Sequence, residues 1–183
     1  GFEPGKFKSL ARSCFIFLLV TSLITVISRP YSRLQRTADF LFLVDISRSM
    51  QARKSCTQPS YLDRTKDIMR SVISSIPEGR FGIFVFERLA FPITHMTYDH
   101  TYLDSVVEYA IYDGLIFDRT GSRLGNALTA LAEKKIKLPD VYKNVNTVIL
   151  LSDGNLKGDY IRELEEPIKK VTESGLSIVS VGI

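Results

Sequence analysis

Short, continuously apolar runs alternate along the chain with longer segments in which apolar residues recur every three or four positions. The runs predict strands at 40–44, 81–86, 147–151 and 176–181, and an edge strand at 90–94. The segments between them predict helices within 62–76, 103–110, 124–132 and 161–171. Strands that are apolar along their whole length are covered on both faces, and crossover helices make neighbouring strands parallel. The pattern therefore predicts a doubly wound, mostly parallel α/β sheet with helices on both faces, within residues 38–183.

The N-terminal part of the chain has a different character, because it contains one stretch of 16 uncharged and mainly apolar residues. We predict one transmembrane helix over residues 13–28, between a tail at 1–12 and a linker at 29–37. A helix of this length spans about 24 Å of the ~30 Å hydrocarbon core, and snorkelling by Arg12 and Arg29 covers much of the difference. A buried helix and a cleavable signal peptide are the alternatives, the second without a small-residue cleavage site.

The positive charge of the chain is concentrated beside this apolar stretch. The net charge is +4, but residues 1–36 hold six basic and one acidic side chain, whereas the other 147 hold 18 basic and 19 acidic. A nucleic-acid-binding domain carries its basic patch on the folded part, so we expect no nucleic-acid partner. The two histidines, His95 and His100, are expected in a polar loop after the edge strand. The chain stops at Ile183 inside an apolar run, so we expect a domain truncated at its C-terminus.

The most informative residues follow the predicted strands. Asp45, Ser47 and Ser49 form D-x-S-x-S, one carboxylate and two hydroxyls at alternate positions of a strand-to-loop turn, and such oxygens suit Mg²⁺. Ser122 precedes the third predicted helix at its N-terminus, and Asp153 follows a buried strand. Sites in sheets of this kind form at the carboxyl ends of the strands, so we predict that these segments converge. Ordinary capping and turn roles are the alternative.

These three segments together resemble the von Willebrand factor A (VWA) domain and its metal-ion-dependent adhesion site. D-x-S-x-S followed by methionine, then G-[ST]-x-x-G-x-A-L at 121–128, then an apolar strand ending in D-G carries the resemblance. It implies a VWA, Rossmann-like fold and a bound Mg²⁺, with Mn²⁺ or Ca²⁺ as substitutes. The implied ligands are hydroxyl oxygens and two carboxylates that bind directly or through water: Ser47, Ser49 and Ser122, with Asp45 and Asp153.

Two residues depart from the familiar VWA pattern. Ser122 stands where threonine is commoner, which preserves the ligand atom, and Arg48 stands where glycine is most familiar. A cation between two ligand serines is expected to attract an acidic partner residue and to lower the affinity for the metal. The alternative is that Arg48 points into solvent and affects neither.

Other segments are similar to bacterial membrane-anchored VWA proteins of the aerotolerance (Bat) type. The apolar helix with Ser28-Arg29-Pro30 precedes the first strand, 59–66 resembles a P-S-R-L-x-x-A-K helix start, and 78–86 resembles a D-R-V-G-L-V-x-F strand. The resemblance implies a single span in the bacterial inner membrane and favours the periplasmic side for the domain. It also implies a MoxR-type AAA+ ATPase and other VWA membrane proteins as partners, in envelope complex assembly or stress tolerance.

Three functions fit such a site. The one we favour is a non-enzymatic protein-binding module, in which an Asp or Glu of a partner completes the coordination of the metal. A metal-assisted hydrolase would need a general base or nucleophile beside the metal. No histidine lies in the three site segments, and neither G-x-S-x-G nor G-x-x-x-x-G-K-[ST] occurs. The third is a structural domain whose site stays empty because the charge of Arg48 replaces that of the metal.

Overall fold

A computed structural model describes residues 38–112, 114–115, 123–154 and 163–183. The chain divides by its contacts into the units Gly1–Arg36 and Thr37–Ile183, and all described residues belong to the second. Its elements in chain order are β1 (Asp39–Asp45), a 3₁₀ turn (Arg48–Gln51), α1 (Tyr61–Ser75), β2 (Arg80–Phe86), β3 (Ala90–Thr97), α2 (His100–Tyr109), α3 (Leu124–Lys137), the short α4 (Pro139–Tyr142), β4 (Val145–Ser152), α5 (Glu165–Glu173) and β5 (Ser177–Gly182).

The strands form one sheet in the order β3-β2-β1-β4-β5. Four strands are parallel, and β3 pairs with β2 in the antiparallel direction at one edge. The central strand β1 ends beside both neighbours, with Asp45 opposite Phe86 of β2 and Val44 opposite Leu151 of β4. The predicted mostly parallel α/β sheet and its edge strand are therefore confirmed. The carboxyl ends of β1, β2 and β4 form what we call the carboxyl edge of the sheet.

Helices cover both faces of this sheet. Because side chains alternate along a strand, Phe42 and Val44 of β1 pack in one cluster with α1 and α2. Leu41 and Leu43 pack on the other face, with α3 and with Val171 of α5. Continuous apolar runs indicated burial on both faces correctly for β1, β2 and β4. The same prediction was wrong for the run at 176–181, because β5 ends the strand order and exposes Ser177, Val179 and Ser180.

The two histidines lie elsewhere than expected. His95 lies within β3, which extends to Thr97 rather than ending near residue 94. His100 begins α2; its Nε2 lies 2.9 Å from the carbonyl oxygen of Gly79, and its ring meets Phe81 edge-on at 5.6 Å between centroids. The predicted polar loop was wrong because an edge strand accepts polar side chains on its exposed positions.

Two predicted elements lie wholly or partly outside the described residues. The transmembrane helix predicted over 13–28 is one of them. The other is the start of the last predicted helix, and the described part of that helix, α5, begins at Glu165. Over the described stretches from residue 38 onward, no helix has both the length and the apolar character that a membrane crossing requires.

A capping box fixes the start of α1. The Ser60 hydroxyl oxygen accepts the backbone N–H of Asp63 at 3.1 Å, and the Asp63 carboxylate accepts the backbone N–H of Ser60 at 2.9 Å. The Ser60 hydroxyl also donates to Asp63 Oδ2 at 2.7 Å. This last hydrogen bond is the main reason that the pKa of Asp63 is lowered from its ordinary value.

We expect Ser60→Ala to lower the free energy of unfolding by about 1 kcal/mol at neutral pH, the usual effect of losing an N-cap hydroxyl. A lowered carboxyl pKa stabilises the fold above the unfolded pKa, and that stabilisation disappears as pH falls through the folded pKa. The difference between the two proteins should therefore shrink in acid. Urea titrations at several pH values measure it. Ser74→Ala, which removes an exposed hydroxyl on the same helix, should change little, and an equal loss there would contradict the capping role.

Candidate metal site

The loop after β1 alternates oxygen-bearing residues with apolar residues that are anchored in the core. Ile46 is 2% and Met50 0% exposed, and both pack in the cluster beneath α1 and α2. The backbone N–H of Met50 donates to the Ser47 carbonyl at 2.9 Å, and that of Ala52 donates to the Ser49 carbonyl at 2.9 Å. These two turns form the 3₁₀ segment and fix the backbone on which the two serines stand.

Asp45 is the buried centre of this cluster. Its carboxylate accepts the backbone N–H of Ser47 through Oδ1 at 2.8 Å and the Ser152 hydroxyl through Oδ2 at 3.0 Å. The side-chain oxygens of Ser47 and Ser49 lie 3.1 Å apart. Asp45 and Ser47 are buried, and Ser49 is half-buried. Three of the predicted site residues are thus brought together at the carboxyl end of the central strand.

Asp153 follows the last residue of β4 and is half-buried at the same edge. Gly154, with φ of +68°, turns the chain after it, a conformation that glycine adopts without a Cβ clash. The Asp153 charge is close enough to contribute to the pKa of Asp45. The fourth predicted residue therefore lies in the same electrostatic environment as the first three.

The electrostatics of Asp45 favour a cation at this place. Burial is the main reason that the pKa of its carboxyl is raised above the ordinary value, and the negative charge of Asp153 raises this pKa further. The hydrogen bonds from Ser47 and Ser152 act in the opposite direction. A divalent cation beside two carboxylates would relieve both the desolvation and the repulsion of like charges.

Ser122, the fifth predicted residue, lies outside the described residues, and its role as a ligand stays a prediction. The described helix α3 begins at Leu124 with Arg123 at its N-cap. The backbone N–H of Arg123 donates to the Glu87 carbonyl at 2.7 Å, which ties the start of α3 to the carboxyl end of β2. Gly125 lets α5 approach closely, since a Cβ there would lie 3.3 Å from the ring of Pro167.

Ser152 is a member of the cluster that was not predicted. Its hydroxyl donates to Asp45 and accepts the backbone N–H of Gly154 at 3.2 Å, so it links the ends of β1 and β4. The available signal was a hydroxyl directly before Asp153 in the sequence L-S-D-G. Only the pairing of β1 with β4 shows what that hydroxyl contacts.

The donor set fits a hard divalent cation. Among the described residues, no three His, Cys, Asp or Glu side chains form a group that could hold a metal ion. The predicted site has only two carboxylates, and its other donors are hydroxyl oxygens, which suit Mg²⁺ with some of its water retained. The fit rests on the observation that the carboxylates of Asp45 and Asp153 lie near each other and that Asp45 is buried. Metal binding by these residues stays a prediction.

The von Willebrand factor type A domain family matches residues 40–155, a range that includes every predicted ligand. No curated protein matches the chain.

Solved structures with the same fold include two from Bacteroides. BatB from Bacteroides thetaiotaomicron superposes with a TM-score of 0.64 at 23% identity, over 79% of this chain and 66% of that protein. An aerotolerance-related membrane protein from Bacteroides fragilis gives 0.61 at 23% identity, over 79% and 67%. Manganese-loaded TRAP from Plasmodium vivax gives 0.58 at 17% identity, over 81% and 57%. The chain thus spans about two thirds of the two Bacteroides proteins. The predicted resemblance to VWA domains and to Bat-type proteins is confirmed.

Proposed function

Because the chain belongs to the von Willebrand factor type A domain family, we propose that it is a divalent-metal-dependent protein-binding module. An Asp or Glu of a partner protein would complete the coordination of a metal held at the carboxyl edge. The observation that carries the proposal is the buried Asp45 carboxylate, held beside the paired hydroxyls of Ser47 and Ser49 and near Asp153. In the superposable TRAP structure the metal is manganese, which makes Mn²⁺ a suitable probe.

Each residue would contribute in a way that follows from its chemistry. Asp45 and Asp153 would hold the metal directly or through water, and Ser47, Ser49 and Ser122 would offer neutral hydroxyl oxygens. When bound, Mg²⁺ or Mn²⁺ would supply an electrophilic position that a partner carboxylate can fill. Neutral hydroxyls leave more of the metal's charge uncompensated than additional carboxylates would. The Ser47 N–H and the Ser152 hydroxyl orient Asp45, as groups around a metal site commonly do.

The proposal extends to the setting of the domain. We propose a single N-terminal span in the bacterial inner membrane with the domain on the periplasmic side. A MoxR-type AAA+ ATPase and other VWA membrane proteins are the proposed partners, in envelope complex assembly or stress tolerance. Support comes from the apolar stretch 13–28 in the sequence and from a Bacteroides fragilis structure described as an aerotolerance-related membrane protein.

The direct test measures metal and partner together. The purified full chain is immobilised, and binding of a second VWA membrane protein from the same genome is measured with Mn²⁺ and with EDTA. We expect binding that requires Mn²⁺ and disappears in Asp45→Ala. Metal-independent binding of equal strength would contradict the proposed mechanism. Hydrolysis of a phosphate ester that needs the metal and disappears in the same variant would instead favour the hydrolase.

The effect of Arg48 can be measured separately. Its side chain is exposed beside the two serines, so we expect Arg48→Gly to tighten Mn²⁺ binding on the order of fivefold at low salt. A single positive charge and a dication about 8 Å apart repel each other by about 1 kcal/mol in water, and salt screens that repulsion. Partner binding at saturating Mn²⁺ should weaken and lose part of its salt dependence. Arg48→Gln controls for the flexibility that glycine adds, and unchanged Mn²⁺ affinity in both variants would make Arg48 a bystander.

A further inference from the structure

The carboxyl edge of the sheet is electrostatically divided. The segment 48–64, which leads from β1 into α1, carries four basic side chains and a single acidic one, Asp63. We call this segment the basic loop, and its cations are Arg48, Arg53, Lys54 and Arg64. The turn before α5 and the first residues of that helix instead carry three exposed acidic side chains: Glu163, Glu165 and Glu166. Because residues 37–183 are together slightly acidic, the basic loop is a local concentration of positive charge.

Several contacts within the basic loop fix its conformation next to the carboxyl end of β1. The backbone N–H of Tyr61 donates to the Ala52 carbonyl at 3.1 Å, which closes the base of the loop. The Arg64 guanidinium lies over the Tyr61 ring at 5.8 Å and donates to the Gln58 side chain at 3.2 Å. Arg53 lies near enough to Asp63 to lower the pKa of that carboxyl. Arg48, Arg53 and Lys54 are exposed.

The acidic side lies on the opposite face of the sheet. The basic loop leads into α1, whose apolar residues pack with α2, whereas α5 packs on the face covered by α3. Pro167 lies against Gly125 near the start of α3, which places the first turn of α5 at the carboxyl edge too. The other described acids here are Asp45 and Glu87, which are buried, and Asp153. Arg88 and Arg123 also lie at this edge, each with an interaction of its own.

We infer that the partner presents an acidic peptide segment in a fixed direction. This inference rests on the proposed function, because one acidic residue of that segment is the one that completes the metal site. Further acidic residues lie over the basic loop, where exposed cations attract them. The segment carries no acidic residues over the start of α5, where Glu165 and Glu166 would repel them. A peptide is favoured over other polyanions because the centre of this surface takes a carboxylate.

The probe is a fluorescent octaglutamate peptide, added to the Mn²⁺-loaded full chain. Replacement of Arg53 and Lys54 by glutamine should weaken binding about fivefold at low salt, since each exposed charge contact contributes about 0.5 kcal/mol. Replacement of Glu165 and Glu166 by glutamine should strengthen binding. Replacement of Lys137 and Lys143 by glutamine is the matched control, because these exposed lysines lie at the far end of α3 and before β4. Mn²⁺ affinity is measured for each variant and should stay largely unchanged.

The expected result is weaker peptide binding when Arg53 and Lys54 are replaced and stronger binding when Glu165 and Glu166 are replaced. The control pair, Lys137 and Lys143, should have no effect. Binding that needs Mn²⁺ but ignores both pairs would overturn the inference and leave the proposed function standing. Peptide binding that changes as expected with both pairs, but is unaffected by EDTA and by Asp45→Asn, would contradict the proposed function. The inferred effect of the two charged surfaces on binding would then still hold. Equal effects of all three pairs, no binding, or tighter binding of an eight-nucleotide thymidine oligomer would each overturn the inference.

Discussion

Asp45→Asn should abolish stabilisation of the chain by Mn²⁺ while making the metal-free chain more stable at neutral pH. Loss of a group that merely orients a metal ligand costs on the order of 10- to 100-fold in affinity, so loss of a ligand carboxylate should cost at least that. A ligand at 100 times its dissociation constant stabilises a protein by about 2.7 kcal/mol. Thermal unfolding with and without Mn²⁺ measures this loss directly.

The gain in the metal-free chain follows from the raised pKa of Asp45. A carboxyl whose pKa is higher in the folded than in the unfolded chain stabilises the fold while it is protonated. This contribution is complete below the ordinary value of about 3.8 and disappears as pH rises through the folded pKa. Asparagine can accept from the Ser47 N–H and donate to the Ser152 hydroxyl without carrying a charge. The stability of the variant relative to wild type should therefore increase as the pH rises from the ordinary pKa through the folded pKa of Asp45.

Asp39 provides a matched control at the other end of the same strand. It is also a buried carboxylate of β1, but Arg80 pairs with it through two hydrogen bonds. Asp39→Asn removes the charge that Arg80 binds and should destabilise the fold without changing Mn²⁺ affinity. If Asp39→Asn and Asp45→Asn reduce Mn²⁺ affinity equally, the loss reflects general destabilisation and the site assignment is wrong.

Phe81→Ala should produce the largest loss of stability, about 4 kcal/mol, close to the whole stability of many single domains. Phe81 is fully buried in β2, and its ring stacks on Phe40 at 5.5 Å and on Phe42 at 5.6 Å between centroids. The His100 ring meets it edge-on. The substitution leaves a cavity that the three surrounding rings, from β1 and α2, would have to collapse into. Because the chain has no tryptophan, urea unfolding is followed by circular dichroism.

Phe91→Ala tests whether the loss of stability depends on the buried position of Phe81 rather than on the removal of any phenyl ring. Phe91 lies in the neighbouring strand β3 but is 44% exposed. Its removal takes away little buried apolar surface, and the expected loss is below about 1 kcal/mol. Comparable losses in the two variants would contradict the assignment of Phe81 to the centre of the core.

The hydrophobic pattern was enough to predict the buried strands β1 and β4, but not enough to predict where the edge strand β3 ends. In β1 from Phe40 to Val44 and in β4 from Val148 to Leu151, successive side chains pack alternately into the clusters on the two faces, so both runs are apolar throughout. In β3 only Thr94 is fully buried, and its hydroxyl accepts the backbone N–H of Ile83 at 3.0 Å where the pairing with β2 shifts register. A side chain that replaces a backbone acceptor leaves no periodic signal, so the polar end of this strand resembled a loop.

The part of the site that could be predicted is the part whose residues are close together in the sequence. The D-x-S-x-S residues are neighbours in sequence, so their convergence follows from one turn. Ser152 contacts Asp45 across 107 positions of the chain, which only the pairing of two strands determines. Lys135 is a similar case, because its place among the lysines at the end of α3 gives no sign of the groups that it contacts. Its ammonium instead donates to the Val145 carbonyl at 2.6 Å and the Gly175 carbonyl at 3.2 Å, and burial lowers its pKa.

The full burial of Met50 has a consequence for how the site meets its ion. Ile46 and Met50 lock the loop into the hydrophobic cluster, so folding, rather than the ion, orders the segment that carries both serines. An ion that arrives finds its oxygens already placed and need not freeze a mobile segment, which removes a large entropic cost from binding. A prearranged set of oxygens also adapts poorly to ions of another radius. Discrimination among divalent ions at this site would therefore depend on the packing of a methionine that never touches them.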